Sequence, residues 1–170
     1  DETIQEINDY SKNSRIEVQK VPIDFEQIIN NITESLSFMD NARKMKLDLK
    51  VPEGLEFYSD SGRLKIIFNN LLSNAIKYTN PAEEAPFISV SIESLEKGVL
   101  IEIKDNGIGI KREYLDKIFN MFFRATNRST GSGLGLYIVK EAVEKLGGNI
   151  SVKSAPGEGT DFRIQLPNLK

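Results

Sequence analysis

FISVSIESLEKGVLIEIK, residues 87–104, holds two β-rich runs, Phe87–Leu95 and Val99–Lys104, joined around Lys97-Gly98, and reads as a β-hairpin. Before it lies a helix over 60–78, with Asp60 or Ser61 able to cap it, and the loop Asn80–Pro86. Further upstream, Leu47–Val51 and Glu56–Tyr58 are strand candidates separated by Pro52, Glu53 and Gly54. Asp24, with Gln27 at the capping-box position, starts a helix whose Ile28, Ile29, Ile32, Leu36 and Met39 carry it to about Lys44. Residues 1–20 place Ile4, Ile7, Tyr10, Ser14 and Val18 near helical spacing, until Val21-Pro22 breaks the pattern. After the hairpin come glycine-rich Asp105–Ile110, a short helix over 111–119 and a polar segment, 124–133. A helix Leu134–Leu146 stops at Gly147-Gly148, and Ile150–Ser154 and Phe162–Leu166 form a last hairpin. The order ααββαββααββ, built on hairpins, predicts an α+β fold: a two-layer sandwich, its mixed, mainly antiparallel sheet covered by helices on one face. It disfavours a Rossmann architecture.

The 170 residues include 25 acidic and 22 basic side chains, with no Cys, His or Trp. At 39% hydrophobic and 28% charged the chain can bury a core, and the length suits one domain with a short appendage. A net charge of −3 gives no basic excess for nucleic acid. No run reaches the roughly 18 apolar residues of a membrane span. Without histidine or cysteine, an imidazole base, a Ser-His-Asp triad, His-ligated zinc and a thiol nucleophile are all excluded. Chemistry here must use carboxylates, amides, lysine, arginine and backbone.

Four features could carry it. On the helix 60–78, Asn70, Asn74 and Lys77 fall on one polar row beside the apolar stripe of Leu64, Ile67, Phe68, Leu71, Leu72, Ala75 and Tyr78. An amide oxygen there can ligate Mg²⁺ and a lysine can meet phosphate, but on this helix alone a solvated edge is the simpler explanation of the row. Asp105, followed by Gly107 and Gly109, lets backbone approach a flat ligand whose amine the carboxylate accepts; it is also ordinary turn chemistry. Gly131, Gly133 and Gly135 precede a helix start, where free N–H groups and the dipole favour phosphate, unless they form only a linker. Arg124 and Arg128 sit just upstream. Gly157-Glu-Gly-Thr160 reads as a hairpin turn, and Phe119, Phe122 and Phe123 as core or a docking patch.

Their order is more informative than any one. FNNLLSNAIKYT (residues 68–79), DNGIGI (105–110), IFNMFFR (118–124), GSGLGLYIVKEAVEKLGG (131–148) and GEGTDF (157–162) resemble, in sequence, the N, G1, F, G2 and final glycine boxes of one superfamily. That is the ATP-binding domain shared by sensor histidine kinases with gyrase, Hsp90 and MutL, and the F box and Tyr-Thr resemble the histidine-kinase branch. The resemblance covers roughly residues 22–167 and implies a Bergerat-type sandwich that binds ATP with Mg²⁺.

It implies that Asn74 coordinates Mg²⁺, while Asn70 stands where gyrase-like relatives carry a water-activating glutamate. An amide cannot be that base, so phosphoryl transfer fits better than hydrolysis. By the same resemblance Lys77 approaches phosphate, Tyr78 stacks near adenine, Asp105 accepts from the adenine amino group with Gly107 and Gly109 making room, and Ile110 also contacts the nucleotide. Residues 124–132 form an ATP lid with Arg124 as the γ-phosphate contact. Gly131, Gly133, Leu134, Gly135 and Leu136 cradle phosphates, and Thr160 closes the adenine side. Residues 1–20 resemble the end of a dimerisation helix and 21–170 the catalytic domain. The acceptor histidine is then expected on a hairpin outside this chain, in a homodimeric parent that is anchored in a membrane, has this domain in the cytoplasm and hands phosphate to a response regulator. The fragment itself is expected to be monomeric and unable to autophosphorylate. A slow ATPase and a nucleotide-sensing module that never transfers phosphate are the alternatives.

Overall fold

The computed structural model describes residues 2–125 and 131–170. Helix α1 spans Glu2–Arg15, α2 Phe25–Ser35, α3 Ser61–Lys77 and α4 Gly135–Lys145. Strands are β1 (Val21–Pro22), β2 (Lys46–Lys50), β3 (Tyr58–Ser59), β4 (Phe87–Leu95), β5 (Gly98–Asp105), β6 (Asn149–Ser154) and β7 (Thr160–Pro167). Five of them form one sheet in the order β2-β4-β5-β7-β6, antiparallel except for the parallel pair β2/β4. The mixed, mainly antiparallel sheet with helices on one face is therefore observed.

The sheet's two faces follow from the period-two alternation of its strands. Register sets Val90 opposite Ile103, Ile101 opposite Ile164 and Val152 opposite Phe162, giving one apolar surface beneath the helices. Val90, Val99, Ile101 and Ile164 have no exposed surface. The opposite face carries ions instead, with Arg163 bridging Glu102 at 2.9 Å and Asp161 at 3.4 Å. Onto the apolar surface α3 lays Leu64, Ile67, Phe68, Leu71 and Leu72, and α4 lays Ile138, Val139, Ala142 and Val143, all buried. Phe25 of α2 stacks on Phe57 at 5.5 Å and meets Phe68 edge-on at 6.1 Å, closing the far end of the core.

Caps fix where two helices begin. Asp24 accepts from the Gln27 N–H and Asp60 from the Arg63 N–H, each at 3.0 Å, so Asp60 rather than Ser61 caps α3. Three expected elements are shorter than their sequence pattern. Helix α2 stops at Ser35 instead of about Lys44: Ser35 bonds back to Ile32 O, and Met39 and Ala42 donate to carbonyls three residues earlier. These tight turns replace the helix, ending in a 3₁₀ turn Ala42–Lys44. The expected helix over 111–119 is a 3₁₀ turn Arg112–Tyr114 followed by further turns, which lets Ile118, Phe119 and Phe123 reach the core separately. Finally, α1 ends at Arg15, and Val21-Pro22 is not merely a break but a short strand pairing Tyr58-Ser59.

The cause of that early end to α1 is Arg63, which is 4% exposed. Its guanidinium donates to Asp60 at 2.6 Å, to the Asn13 side chain at 2.9 Å, to Asn13 O at 3.1 Å and to Ile16 O. A side chain of α3 thereby satisfies the carbonyls that α1 leaves open at its C-terminus.

Candidate functional site

Helix α3, the end of β5, the start of α4 and the last hairpin meet around one cleft. From α3 come Asn70, Asn74, Lys77 and Tyr78 on one side, as the helical row requires; from β5 and its loop come Asp105, Gly109 and Ile110. Gly131, Gly133, Gly135 and Leu136 line it ahead of and within the first turn of α4, while Thr160 and Phe162 close it from β7. Arg124 lies at its exposed mouth. Two expected residues do not line the cleft. Gly107 is buried, with a Cβ placed on it only 2.5 Å from Tyr78 O, and Leu134 turns its side chain into the protein at 8% exposure. Of the expected lid, Arg128 lies outside the described residues.

At one end of the cleft stands Asp105. Its carboxylate accepts from the Gly107 N–H at 2.8 Å and from the Thr160 N–H, yet burial outweighs both and pushes its pKa up to about 6. A carboxylate held against its desolvation cost at a strand end, facing a cleft, is a mark of a binding site rather than of a turn. The neighbouring Asn106 turns away, accepting from Phe87 N at 2.8 Å and donating to Ala85 O at 3.0 Å. It ties down the 80–86 loop, no residue of which lines the cleft.

Loop 105–110 is sewn to the last hairpin. Gly157 donates to Ile108 O at 2.7 Å, and Gly109, at φ +73°, runs so close to Ala155 that a Cβ would lie 1.9 Å from its carbonyl oxygen. Gly109→Ala is expected to lower the melting temperature by several degrees and to weaken ligand binding at Asp105, both read from one thermal-shift titration. An alanine variant with unchanged stability would contradict the close packing.

At the other end, Leu134 caps α4 without a side-chain bond to the first turn, so no side-chain cap takes up the N–H groups at the start of that 11-residue helix, where Gly135 and Leu136 line the cleft. Asn70 donates its amide N–H to Ile66 O at 2.8 Å. Its oxygen is thereby turned toward Gly135, where a Cβ would sit 2.9 Å away. Asn74 lies one turn further along the same wall. Amide oxygens are hard ligands suited to Mg²⁺, which favours sites completed by water and phosphate oxygens over all-protein cages. The donor set fits that ion, and among the described residues no cluster of three His, Cys, Asp or Glu offers another metal site.

Sequence reasoning missed several lining residues. Leu71 and Ala75 belong to the recognised apolar stripe, and Phe123 to the aromatic box; Ile118 packs beside it. Glu6 had no signal at all. It comes from α1, which packs on α4 with Tyr10 and Tyr137 in ring contact at 6.1 Å, and its carboxylate accepts from the Ser132 hydroxyl.

Residues 59–170 match the family model described as histidine kinase-, DNA gyrase B-, and HSP90-like ATPase. The chain is 30% identical over 171 residues to the sensor histidine kinase AtsR of Burkholderia thailandensis, an alignment covering 96% of this chain and 28% of that protein. It is 39% identical over 112 residues to the sensor protein SrrB of Staphylococcus aureus, covering 64% of this chain and 19% of that one. The chain thus spans less than a third of these curated relatives. Among solved structures it resembles full-length ShkA in complex with AMPPNP, at TM-score 0.80 and 26% identity over 97% of this chain and 35% of that one. The mycobacterial sensor histidine kinase MprB matches at TM-score 0.74 and 29% identity, covering 88% of this chain and 98% of that one.

Proposed function

Because the chain belongs to the histidine kinase-, DNA gyrase B-, and HSP90-like ATPase family, as an ATP-binding domain of the sensor histidine kinase type, we propose that its cleft binds Mg-ATP and passes the γ-phosphoryl group to a histidine on another segment. One observation carries this reading. Asn70 and Asn74, Asp105, and Gly131, Gly133, Gly135 and Leu136, far apart in sequence, line a single cleft with an acceptor at one end and the start of α4 at the other.

Adenine sits against Asp105 and Thr160, beside Tyr78, Gly109 and Ile110. The phosphates lie toward the start of α4, between Lys77 and Arg124. Asn74 would hold Mg²⁺, with the Asn70 oxygen facing the same space. Bound there, the ion would draw charge from the phosphate oxygens during transfer. A histidine nitrogen then forms the new bond to phosphorus while the bond to the β-phosphate oxygen breaks and ADP leaves. This chain positions the nucleotide, and the acceptor comes from elsewhere, since its 170 residues contain no histidine. In this reading residues 1–20 end a dimerisation helix, the parent is a membrane-anchored homodimer with this domain in the cytoplasm, and a response regulator receives the phosphate. Among the described residues no helix is long and apolar enough to cross a membrane.

Supplying γ-labelled Mg-ATP, with and without a histidine-bearing dimerisation hairpin from the parent protein, tests the proposal. Label is expected on the added hairpin alone, and Asn74→Asp is expected to reduce it at least tenfold with the fold intact. Hydrolysis is the competing reading, and Glu6 favours it, because its carboxylate lines the cleft where Asn70 cannot act as a base. Phosphate released by the chain alone, and lost in Glu6→Gln, would replace transfer by hydrolysis. Nucleotide bound but never consumed would leave a sensing module.

A further inference from the structure

Ser154, at the end of β6, makes more hydrogen bonds than its place in a hairpin requires. Its hydroxyl accepts from the Ile110 N–H at 2.8 Å, lies 2.7 Å from Gly159 O and 3.0 Å from the Thr160 hydroxyl. A serine hydroxyl has one proton. The Gly159 carbonyl can only accept, so that proton goes to it. The Thr160 hydroxyl must then donate its own proton to Ser154. What Thr160 has left for the cleft, which it lines at 9% exposure, is lone pairs alone.

Beside it the Asp105 carboxylate is also an acceptor, receiving the Gly107 and Thr160 N–H groups. We infer that Ser154 is a specificity-determining positioning residue: by fixing the Thr160 proton it makes this wall acceptor-only, so that the cleft takes 6-amino purines and refuses 6-oxo purines. An exocyclic amine donates into such a wall. A 6-oxo purine sets a carbonyl oxygen against those acceptors at that position; its one N1–H lies on the neighbouring ring atom and cannot donate to both Asp105 and Thr160, and a site built to receive an N–H at one position discriminates strongly against a ligand that lacks it there. Ser154 itself does not line the cleft; it acts through Thr160 and, by the Ile110 bond, holds the 105–110 loop against the last hairpin.

The inference rests on the placement of a purine at Asp105 and Thr160 made above. Its test is the ratio of Mg-ATP to Mg-ITP affinity, measured by calorimetric titration of the whole chain and its variants. The unchanged protein is expected to prefer ATP at least tenfold. Ser154→Ala releases the Thr160 proton toward the cleft, and the ratio is expected to fall about tenfold, whatever the change in ATP affinity alone. Ser154→Thr, which keeps a hydroxyl, is expected to hold the ratio. If Ser154→Ala does not fold, Thr160→Val removes the other end of the bond at nearly constant volume and must lower the ratio as well. An unchanged ratio in Ser154→Ala, or in Thr160→Val where that variant is needed, overturns the inference, as does an equal fall in Ser154→Ala and Ser154→Thr. In each of those cases the nucleotide site stands provided that Asp105→Ala weakens ATP. Failure of the unchanged protein to bind either nucleotide overturns both readings.

Discussion

Asp105→Asn is expected to bind Mg-ATP about 10- to 100-fold more weakly than the unchanged protein while melting at a higher temperature. The first effect is the loss of a charge-assisted hydrogen bond to the adenine amine. The second follows from the cost of holding the charge. Burial raises the carboxyl from 3.8 to about 6 in the folded protein, so between those values the native state binds more protons than the unfolded chain. Stability from this group is complete below about pH 4 and is lost as pH rises through about 6. At pH 7.5 the full penalty is present, and asparagine removes it. The gain is of order 1–3 kcal/mol, or roughly 2–10 °C. Calorimetric melting from pH 4 to 8 should show the two proteins diverging as pH rises, with ATP affinity of the unchanged protein falling below about pH 6. A variant that is both less stable and equally able to bind ATP would contradict the assignment.

Arg63→Ala is expected to cost stability on a larger scale, about 3–5 kcal/mol, because it strands the buried Asp60 carboxylate and the carbonyls of Asn13 and Ile16. For a chain of this size that lowers the melting temperature by roughly 6–20 °C. Cleavage by protease between residues 16 and 20 should increase, since the same guanidinium holds the end of α1. Burial pushes the Asp60 carboxyl up, but N–H bonds from Gln19 and Arg63 and the Arg63 charge outweigh it, leaving the group below its ordinary value of 3.8. Stability from a lowered carboxyl is present above that value and fades as acid protonates it. The gap between the two proteins should therefore narrow below about pH 4. Arg63→Lys should restore little, because an ammonium cannot reproduce the fork that reaches three residues. A melting temperature within a degree or two of the unchanged protein would refute the clamp.

These two residues also show what could and could not be read from the sequence. Asp105 was legible because a strand end, two glycines and an ordered set of boxes surround it. The β4–β5 hairpin and α3 were legible for a related reason: long runs with consistent periodicity and a clear cap leave few alternatives. Arg63 was not, since its meaning depends on Asn13 and Ile16, whose approach is decided by tertiary packing. Residues 36–44 misled because Leu36 and Met39 keep helical spacing while the backbone has already turned, leaving Phe38 82% exposed. Strands β1 and β3 are two residues each and β1 contains proline, so propensity caught only Tyr58 of β3, within the Glu56–Tyr58 candidate, and missed β1 altogether. Glu6 reaches the cleft only because α1 packs on α4. Ser154 reads as an ordinary strand serine until its three partners are counted.

In the proposed function one cleft holds the whole nucleotide, with the base at Asp105 and the phosphates at the start of α4. Backbone amide hydrogen exchange, followed with and without saturating Mg-ATP, reads both ends of that cleft at once. Added protection is expected together at residues 105–110, 131–136 and 158–160, with little change in β2 or in the Arg63 clamp. Protection confined to the clamp, or none at residues 105–110, would contradict it.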